Sequence, residues 1–579
     1  MNYELIAQRT EDKALYQVLK NRKIFNYEKY LNTIDNDIND YFLLGETQLE
    51  NAAKILLNAI KDNKKVLIIV DSDADGFTSS SLLINYLYDL FPNWTTTKLS
   101  WFLHNGKQHG LEDCCDLILD SDYEVIICPD SASNDYEQHL KLFKNNQQII
   151  VLDHHEIEQF SNKAVIINNQ SCDYPNKALS GVGVTWQFCR FLDDKLHINN
   201  ADLYLDLVAT GLIADMMDMR EIETKHLIQK GLKQIRNPFL VYMAERNKFS
   251  LGEVLTPMGV AFYIVPFINA MTRSGTLEEK KLIFKSMLSM TAFNEILSNK
   301  RGHKIKETEY LVEQAVRTAI NVKNRQTKAE TNGVMALQKK IEDDNLLDNK
   351  VLLFLLQKGE IDPNIAGLVA NKISAYYQRP CCVLTGREEE GKIIYRGSAR
   401  GCSNIRDFKK LCNDTQAIDW AKGHANAFGL QLPEKDVDMY IDATNTLLKD
   451  LKKERTYFVD FLYYNKDINE QDILEIDENA MLWGKSIEEP YIAIKGLKVT
   501  KDMVTLMSPD KSPTIKIHLP NIDLIKFKAS EEEYEKLLAE GYVEIDVVGY
   551  AASNEWNGKT YPQLKIEDYN IVNVSEYFF

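Results

Sequence analysis

The stretch Lys65-Val66-Leu67-Ile68-Ile69-Val70-Asp71-Ser72-Asp73-Ala74-Asp75-Gly76, followed by Phe77-Thr78-Ser79-Ser80, is an apolar run of strand length that ends abruptly in three alternating carboxylates. Val and Ile dominate the run, which suits a parallel strand buried on both faces. Gly76 predicts a tight turn, and Thr78 or Ser79 is placed to cap a following helix through Leu82, Leu83, Leu87 and Leu90. Open α/β sheets bind ligands at such units, where acids stand at the carboxyl end of a strand. In an extended segment Asp71 and Asp73 share a face, so one hard divalent cation fits between them. Aspartates after a strand also serve simply as turn and helix-cap residues, and one stretch does not separate the two readings.

Repetition separates them. Val125-Ile126-Ile127-Cys128 is a second apolar run and ends in Pro129-Asp130-Ser131. Ile149-Ile150-Val151-Leu152 is a third and ends in Asp153-His154-His155. Asp215 follows the apolar segment Leu207 to Ala214. Three strand ends and one further segment each deliver a metal-type ligand, which scattered turn acids would not do in step.

At 579 residues the chain exceeds one ordinary core, and length predicts roughly three or four domains. The nine cysteines form no Cys-x-x-Cys pair and read as reduced thiols rather than a disulfide frame or a zinc site. No apolar run reaches membrane-spanning length and the start carries no leader pattern, so a cytoplasmic protein without a membrane partner is expected. A formal charge of -17, from 68 basic and 85 acidic residues, excludes indiscriminate coating of a duplex but not a locally basic groove.

Patterning predicts an α/β protein with five regions. Residues 1–60 read as a helical extension and 61–230 as a parallel-sheet domain of alternating strands and helices. Within it, Leu179-Ser180-Gly181-Val182-Gly183-Val184 starts a helix whose glycines serve close packing or place backbone N–H groups near phosphate. Residues 231–330 read as a helical connector, and Lys300, Arg301, Lys304, Lys306, Arg317, Lys323, Arg325 and Lys328 make it either a solvated helix or one wall of a phosphate groove. Residues 331–454 read as a smaller α/β domain, and 455–579 as a five-stranded barrel with one helical insert. The turn Asn554-Glu555-Trp556-Asn557-Gly558-Lys559 has hairpin chemistry; Trp556 is either a core residue or a base-stacking platform.

Asp-x-Asp-Ala-Asp-Gly, an isolated Asp, Asp-His-His and Ala-Asp, in this order and spacing, resemble the DHH phosphoesterase superfamily. Tyr395-Arg396-Gly397-Ser398-Ala399-Arg400 and Gly423-His424-Ala425-Asn426-Ala427-Phe428-Gly429 resemble the DHHA1 substrate domain. The segment Pro266 to Arg273, and Leu482-Trp483-Gly484 with the Trp556 turn, resemble the RecJ branch and its OB domain. The resemblance implies a DHH domain over 61–230, DHHA1 over 331–454 and an OB-like barrel over 455–579. It implies hydrolysis of single-stranded DNA from the 5′ end to mononucleotides, with a barrel that guides the strand into a cleft too narrow for duplex.

On that reading Asp71 and Asp73 hold one metal, Asp130 bridges, and His154 with Asp215 hold the other. His155 contacts the scissile phosphate, Asp153 orients the histidine pair, and Asp75 is a ligand, a supporting partner or the helix cap. Mixed carboxylate and imidazole donors favour two Mn²⁺ ions, with Mg²⁺ also accommodated. Arg273, Ser398, Arg400, Gly423 and His424 are expected at the substrate, with His155. Single-stranded DNA is the expected partner, a single-strand-binding protein or helicase the expected protein contact, and the chain a monomer. Three departures stand out: Lys422 precedes Gly423 where a glycine pair is usual, Gly401 follows Arg400 in place of Ser, and the Phe102 to Leu111 loop has His109 where Tyr is expected. A phosphodiesterase of short oligonucleotides or cyclic dinucleotides, and an inactive single-strand-binding scaffold, are the alternatives.

Overall fold

The computed structural model describes residues 1–106, 108–300, 307–451, 454–509 and 512–575. Arg301, Lys304 and Lys306 of the basic stretch, and Lys107, lie outside the described residues. The chain divides into two compact units: Glu28–Gln326 with Met481–Glu488, and Met1–Tyr27 with Thr327–Ala480 and Glu489–Phe579. Among the described residues no helix is long and apolar enough to cross a membrane, and all nine cysteines are free thiols.

The first unit is built on five strands: β1 Val66–Val70, β2 Leu99–Leu103, β3 Val125–Pro129, β4 Gln148–Asp153 and β5 Val165–Asn168. They lie in the order β2-β1-β3-β4-β5 and pair in parallel throughout. Their near-continuous Val/Ile/Leu composition follows from burial on both faces. Leu67, Ile69, Ile126, Cys128, Ile149 and Val151 pack against Leu111, Cys114, Ile118 and Leu142 on one side. Val66, Ile68, Val70, Val125, Ile127, Ile150 and Leu152, facing the other way, are wholly buried. On that second side α1 (Ala74–Leu90), α2 (Gly181–Leu196) and α3 (Leu205–Ala214) pack against one another, and α1 and α2 against the sheet. After β2 the chain crosses to the far side of β1, so strand order reverses between β1 and β3. A crevice therefore opens beyond their carboxyl ends, where Asp71 and Asp130 stand.

The local geometry after β1 differs from the predicted turn. Asp73 is the helix cap, its Oδ1 accepting from the Gly76 N–H at 3.0 Å, and α1 already begins at Ala74. Asp is a strong N-cap and comes first along the chain, so Thr78 is left inside the helix, donating back to the Ala74 and Asp75 carbonyls at 3.0 Å each. Gly76 serves close approach instead of a turn, because a Cβ there would lie 2.5 Å from Asp71 Cβ.

The connector is helical over Pro238–Arg246, Pro257–Tyr263, Val265–Ser274 and Leu277–Met287, and the long helix Leu311–Asp343 follows. A short ladder of Glu295–Leu297 against Thr308–Tyr310 interrupts it. Lys300 and Arg317 both engage the buried Glu309, at 3.0 and 2.5 Å, and Arg325 pairs with Glu279 at 2.9 Å. Each of these cations is engaged by a carboxylate, but Glu309 carries one charge against two, so Lys300 and Arg317 together keep a net positive charge.

In the second unit a five-stranded sheet runs in the order Trp420–His424, Ala427–Pro433, Lys392–Arg400, Cys381–Glu389, Leu352–Leu356. The C-terminal region is a seven-stranded sheet rather than the expected five, because the short edge strands Phe461–Tyr464 and Val504–Met507 join it. Thr456–Val459, expected in the barrel, pairs instead in parallel with Asn2–Leu5, so the extension at residues 1–60 begins as a strand and not as a helix. Asn557 and Gly558, at φ 52° and 73°, form the two-residue turn between Trp556 and Lys559. Trp556 is 67% exposed and lies outside the core.

Candidate metal centre

Asp71, Asp73 and Asp75 reach the crevice from the β1–α1 junction, Asp130 from the end of β3, Asp153 to His155 from the end of β4, and Asp215 from the cap of α3. Asp130 sits at φ 63°, in a left-handed conformation that Asp tolerates better than most residues, and its N–H donates to the Leu152 carbonyl at 2.7 Å. Three donor groups result, each with one ligand atom per residue within 4.8 Å of the rest: Asp71, Asp73 and Asp130; Asp75, His154 and Asp215; Asp130, Asp153, His154 and His155. His154 Nε2 links them, 3.2 Å from Asp130 Oδ1 and 3.4 Å from Asp215 Oδ2.

Asp153 holds the histidine pair through one oxygen. Its Oδ1 accepts from the backbone N–H groups of His154 and His155 at 2.8 and 3.3 Å and meets His155 Nδ1 at 2.7 Å. Burial works against the charged His155 ring, but this hydrogen bond together with the charges of Asp153, Asp215 and Asp71 outweighs it and raises its pKa to about 9. Burial raises Asp153, but the same contact, with the charges of His155 and His154 and a hydrogen bond from Ser133, overcomes it and holds the carboxyl well below the usual range. Burial, then the charge of His155, lowers His154 to about 4, leaving a neutral imidazole able to ligate.

The remaining acids are crowded. Burial, then Asp71 and Asp75, pushes Asp73 up to about 6. Burial, then Asp75 and Asp73, pushes Asp215 to about 8, and burial with Asp75 holds Asp130 well above its ordinary value. Two carboxylates within 4.8 Å repel by about 3 kcal/mol at an effective dielectric constant of about 20. Asp75 Oδ2 and Asp130 Oδ1 are buried without a hydrogen-bond donor among the described residues. A hard cation matches that demand, and no protein cation in the cluster does.

Ser180 and Gly181 show why the glycine-containing helix start lies here. Ser180 Oγ donates to Asp75 Oδ1 at 3.0 Å, with the Val182 N–H at 3.4 Å. A Cβ on residue 181 would fall 2.4 Å from Asp130 Oδ1 and 2.6 Å from its Cα. The glycine is there for packing, and what it packs against is the centre itself. Gly181→Ala is expected to displace Asp130 and weaken Mn²⁺ binding roughly 10–100-fold, measured by titrating the full chain with free Mn²⁺.

Arg273 lies half-buried on the helix Val265–Ser274, and among the described residues no hydrogen bond or ion pair joins it to the acids. In the second unit the register sets Arg400, Ala427 and His424 side by side across three strands, and Ser398, Gly429 and Lys422 two residues along. Directly opposed residues share a face, so Ser398, Arg400, Lys422 and His424 line one face over the small Ala427 and Gly429. Lys422 thus adds a cation where a glycine is usual. Gly423, at φ +128°, needs its glycine, and Asn426 braces the segment by donating to the Ile405 and Arg406 carbonyls at 2.9 and 3.2 Å.

One residue at the centre escaped the sequence reading as a site residue. His109 Nδ1 lies 2.9 Å from Asp71 Oδ1, and its ring centre is 4.8 Å from that of His155. The available signal was its place just beyond the carboxyl end of a sheet strand.

A profile of the DHH family, N-terminal domain, matches residues 65–212, and one of the RecJ OB domain matches residues 459–568. The chain is 33% identical over 582 residues to the SPbeta prophage-derived protein YorK of Bacillus subtilis (strain 168), which is named as a single-strand DNA-specific exonuclease, covering 100% of this chain and 99% of that one. It is 26% identical over 558 residues to the single-stranded-DNA-specific exonuclease RecJ of the same strain, covering 93% and 65%. The crystal structure of RecJ in complex with Mn²⁺ from Thermus thermophilus shares the fold, with a TM-score of 0.70 at 18% identity over 97% of this chain and 76% of that one.

Proposed function

The chain belongs to the DHH family, in its RecJ-type branch, and from that premise we propose that it is a divalent-cation-dependent exonuclease that hydrolyses single-stranded DNA from the 5′ end to mononucleotides. The observation that carries the reading is the convergence of six carboxylates and two imidazoles, that of His154 neutral, into linked donor groups at the strand-order reversal.

In this reading Asp71 and Asp73 hold one cation, Asp130 is shared, and His154 and Asp215 hold the second, with Asp75 beside them. Bound there, two divalent cations, Mn²⁺ in preference to Mg²⁺, supply a nucleophile at neutral pH and neutralise charge developing on the phosphodiester. The residues prepare that chemistry. Asp153 fixes the His155 ring as an imidazolium, which donates to a phosphate oxygen without needing a proton from solvent. His154 stays neutral, so its lone pair is open to a cation.

The Ser398, Arg400, Lys422 and His424 face, within a substrate domain over 331–454, grips the phosphates of the incoming strand. Arg273 adds a cation from the connector. Residues 61–230 form the catalytic domain, and the C-terminal sheet that starts at Phe461 guides the strand. Arg400→Ala is expected to raise KM for a single strand about tenfold, the worth of a charged hydrogen bond, with Mn²⁺ affinity unchanged. The protein works as a cytoplasmic monomer, with a single-strand-binding protein or a helicase supplying its substrate.

The deciding experiment is digestion of a long 5′-labelled single strand in Mn²⁺, with labelled mononucleotide expected as the first product. Hydrolysis confined to dimers and tetramers would move the substrate to short oligonucleotides. Strand binding without hydrolysis would make the chain a scaffold.

A further inference from the structure

His109 is delivered to the centre by the loop that follows β2, and three contacts surround that loop, two of them hydrogen-bonded. Lys280, on the helix Leu277–Met287 and only 2% exposed, donates through Nζ to the His104 carbonyl at 3.2 Å and the Gly106 carbonyl at 2.9 Å. His104, equally buried, places Nδ1 2.8 Å from Asp113 Oδ1. On the far side of His109, the Asp135 carboxylate accepts from the Leu111 N–H at 2.6 Å. Gly110 takes φ +70°, where a Cβ would strike that same carboxylate at 2.3 Å.

A buried ammonium is costly unless its donors are met. The donors of Lys280 go to two carbonyls of a loop, so its burial serves the position of that loop. The loop in turn sets one contact at the acids, His109 Nδ1 on Asp71 Oδ1. An imidazole nitrogen seated 2.9 Å from one oxygen of a ligating carboxylate biases which way the carboxylate faces, and such supporting partners tune metal affinity.

We infer that His109 is a positioning residue for Asp71, and that Lys280 is the strut that holds the His109 loop over the centre. The inference rests on the reading of the acids as a cation site. It concerns a position where the family resemblance leads one to expect tyrosine.

The test is binding of Mn²⁺ alone to the full chain, followed by the loss of the free-Mn²⁺ electron paramagnetic resonance signal, with no substrate present. His109→Ala is expected to weaken Mn²⁺ binding about 10–100-fold. His109→Asn keeps an N–H donor near the place of Nδ1 and is expected to stay within about threefold of wild type. Lys280→Met is expected to weaken binding in the same direction, and the double variant with His109→Ala to bind no worse than His109→Ala alone, because both changes act through one contact.

Wild-type affinity in His109→Ala overturns the inference, as does His109→Asn binding as weakly as His109→Ala. The His109 pair decides the matter even where Lys280→Met lowers the yield of folded protein. A wild-type chain that takes up no Mn²⁺ overturns the inference together with the proposed function. One that binds Mn²⁺ with the expected variant pattern yet leaves single strands intact overturns the function and supports the inference.

Discussion

Asp130→Asn is expected to cut Mn²⁺-dependent hydrolysis of single-stranded DNA by about a thousandfold or more, and to raise the melting temperature of the metal-free protein. Asp130 joins two of the three donor groups, so its loss removes a ligand from both sides of the centre. Several kcal/mol of charge stabilisation depend on such a ligand set, and about 4 kcal/mol is a thousandfold in rate.

The second half of the expectation has the opposite sign for a physical reason. Without cations, burial and Asp75 hold the Asp130 pKa well above the ordinary value, so the folded chain keeps its proton to higher pH than the unfolded chain does. The unfolded chain would release that proton at neutral pH, so the fold carries a penalty that asparagine does not. Asn also keeps the left-handed backbone at φ 63° without new strain. Initial rates on a 5′-labelled strand and thermal melts in EDTA measure the two halves. Near-wild-type turnover would remove Asp130 from the centre, and a lower melting temperature in EDTA would make it a structural residue.

The centre was legible in the sequence where its geometry is local. A parallel strand buried on both faces is a run of Val, Ile and Leu, and the first polar residue after it must lie at the carboxyl edge; Asp71, Asp130 and Asp153 are found that way. The competition between Asp73 and Thr78 for the cap was also local, but which oxygen reaches an N–H depends on a backbone that the residue pattern does not give. Contacts made across the fold left no trace of that kind. Asn2–Leu5 finds Thr456–Val459 across most of the chain. Glu309 engages two cations of the connector, Lys300 and Arg317, at once. His109 meets Asp71 from a loop whose carbonyls accept from Lys280 on a distant helix.

Stability of the metal-free protein is expected to fall as pH rises from about 6.5 to 8, and Mn²⁺ is expected to reverse that trend. Asp215 is pushed to about 8 by burial with Asp75 and Asp73. His155 reaches about 9 because its Asp153 hydrogen bond and the charges of Asp153, Asp215 and Asp71 together outweigh burial. In this window the folded chain holds protons on both groups that the unfolded chain has released, from an ordinary Asp near 4 and His near 6.5. Stability then declines with pH, since the unfolded state binds fewer protons. For His155 the contribution is complete below about 6.5 and is lost through about 9; for Asp215 a penalty grows from about 4 up to about 8.

His154, lowered to about 4 by burial, has the opposite sign but acts below about 6.5, which sets the lower edge of the window. Both principal groups are partly exposed, with side chains 34% and 45% accessible. Solvent screening therefore reduces the slope to about 1 kcal/mol per pH unit. Cations must displace the Asp215 proton, so Mn²⁺ affinity is expected to rise about tenfold per pH unit for each proton released. Melts in EDTA and in Mn²⁺ across the window test the trend, and calorimetry in buffers of different ionisation enthalpy counts the protons. A metal-free melting temperature that is flat or rising over this range would mean that the acids are not crowded in the way the geometry requires, and with it would go the reason for a cation to bind there.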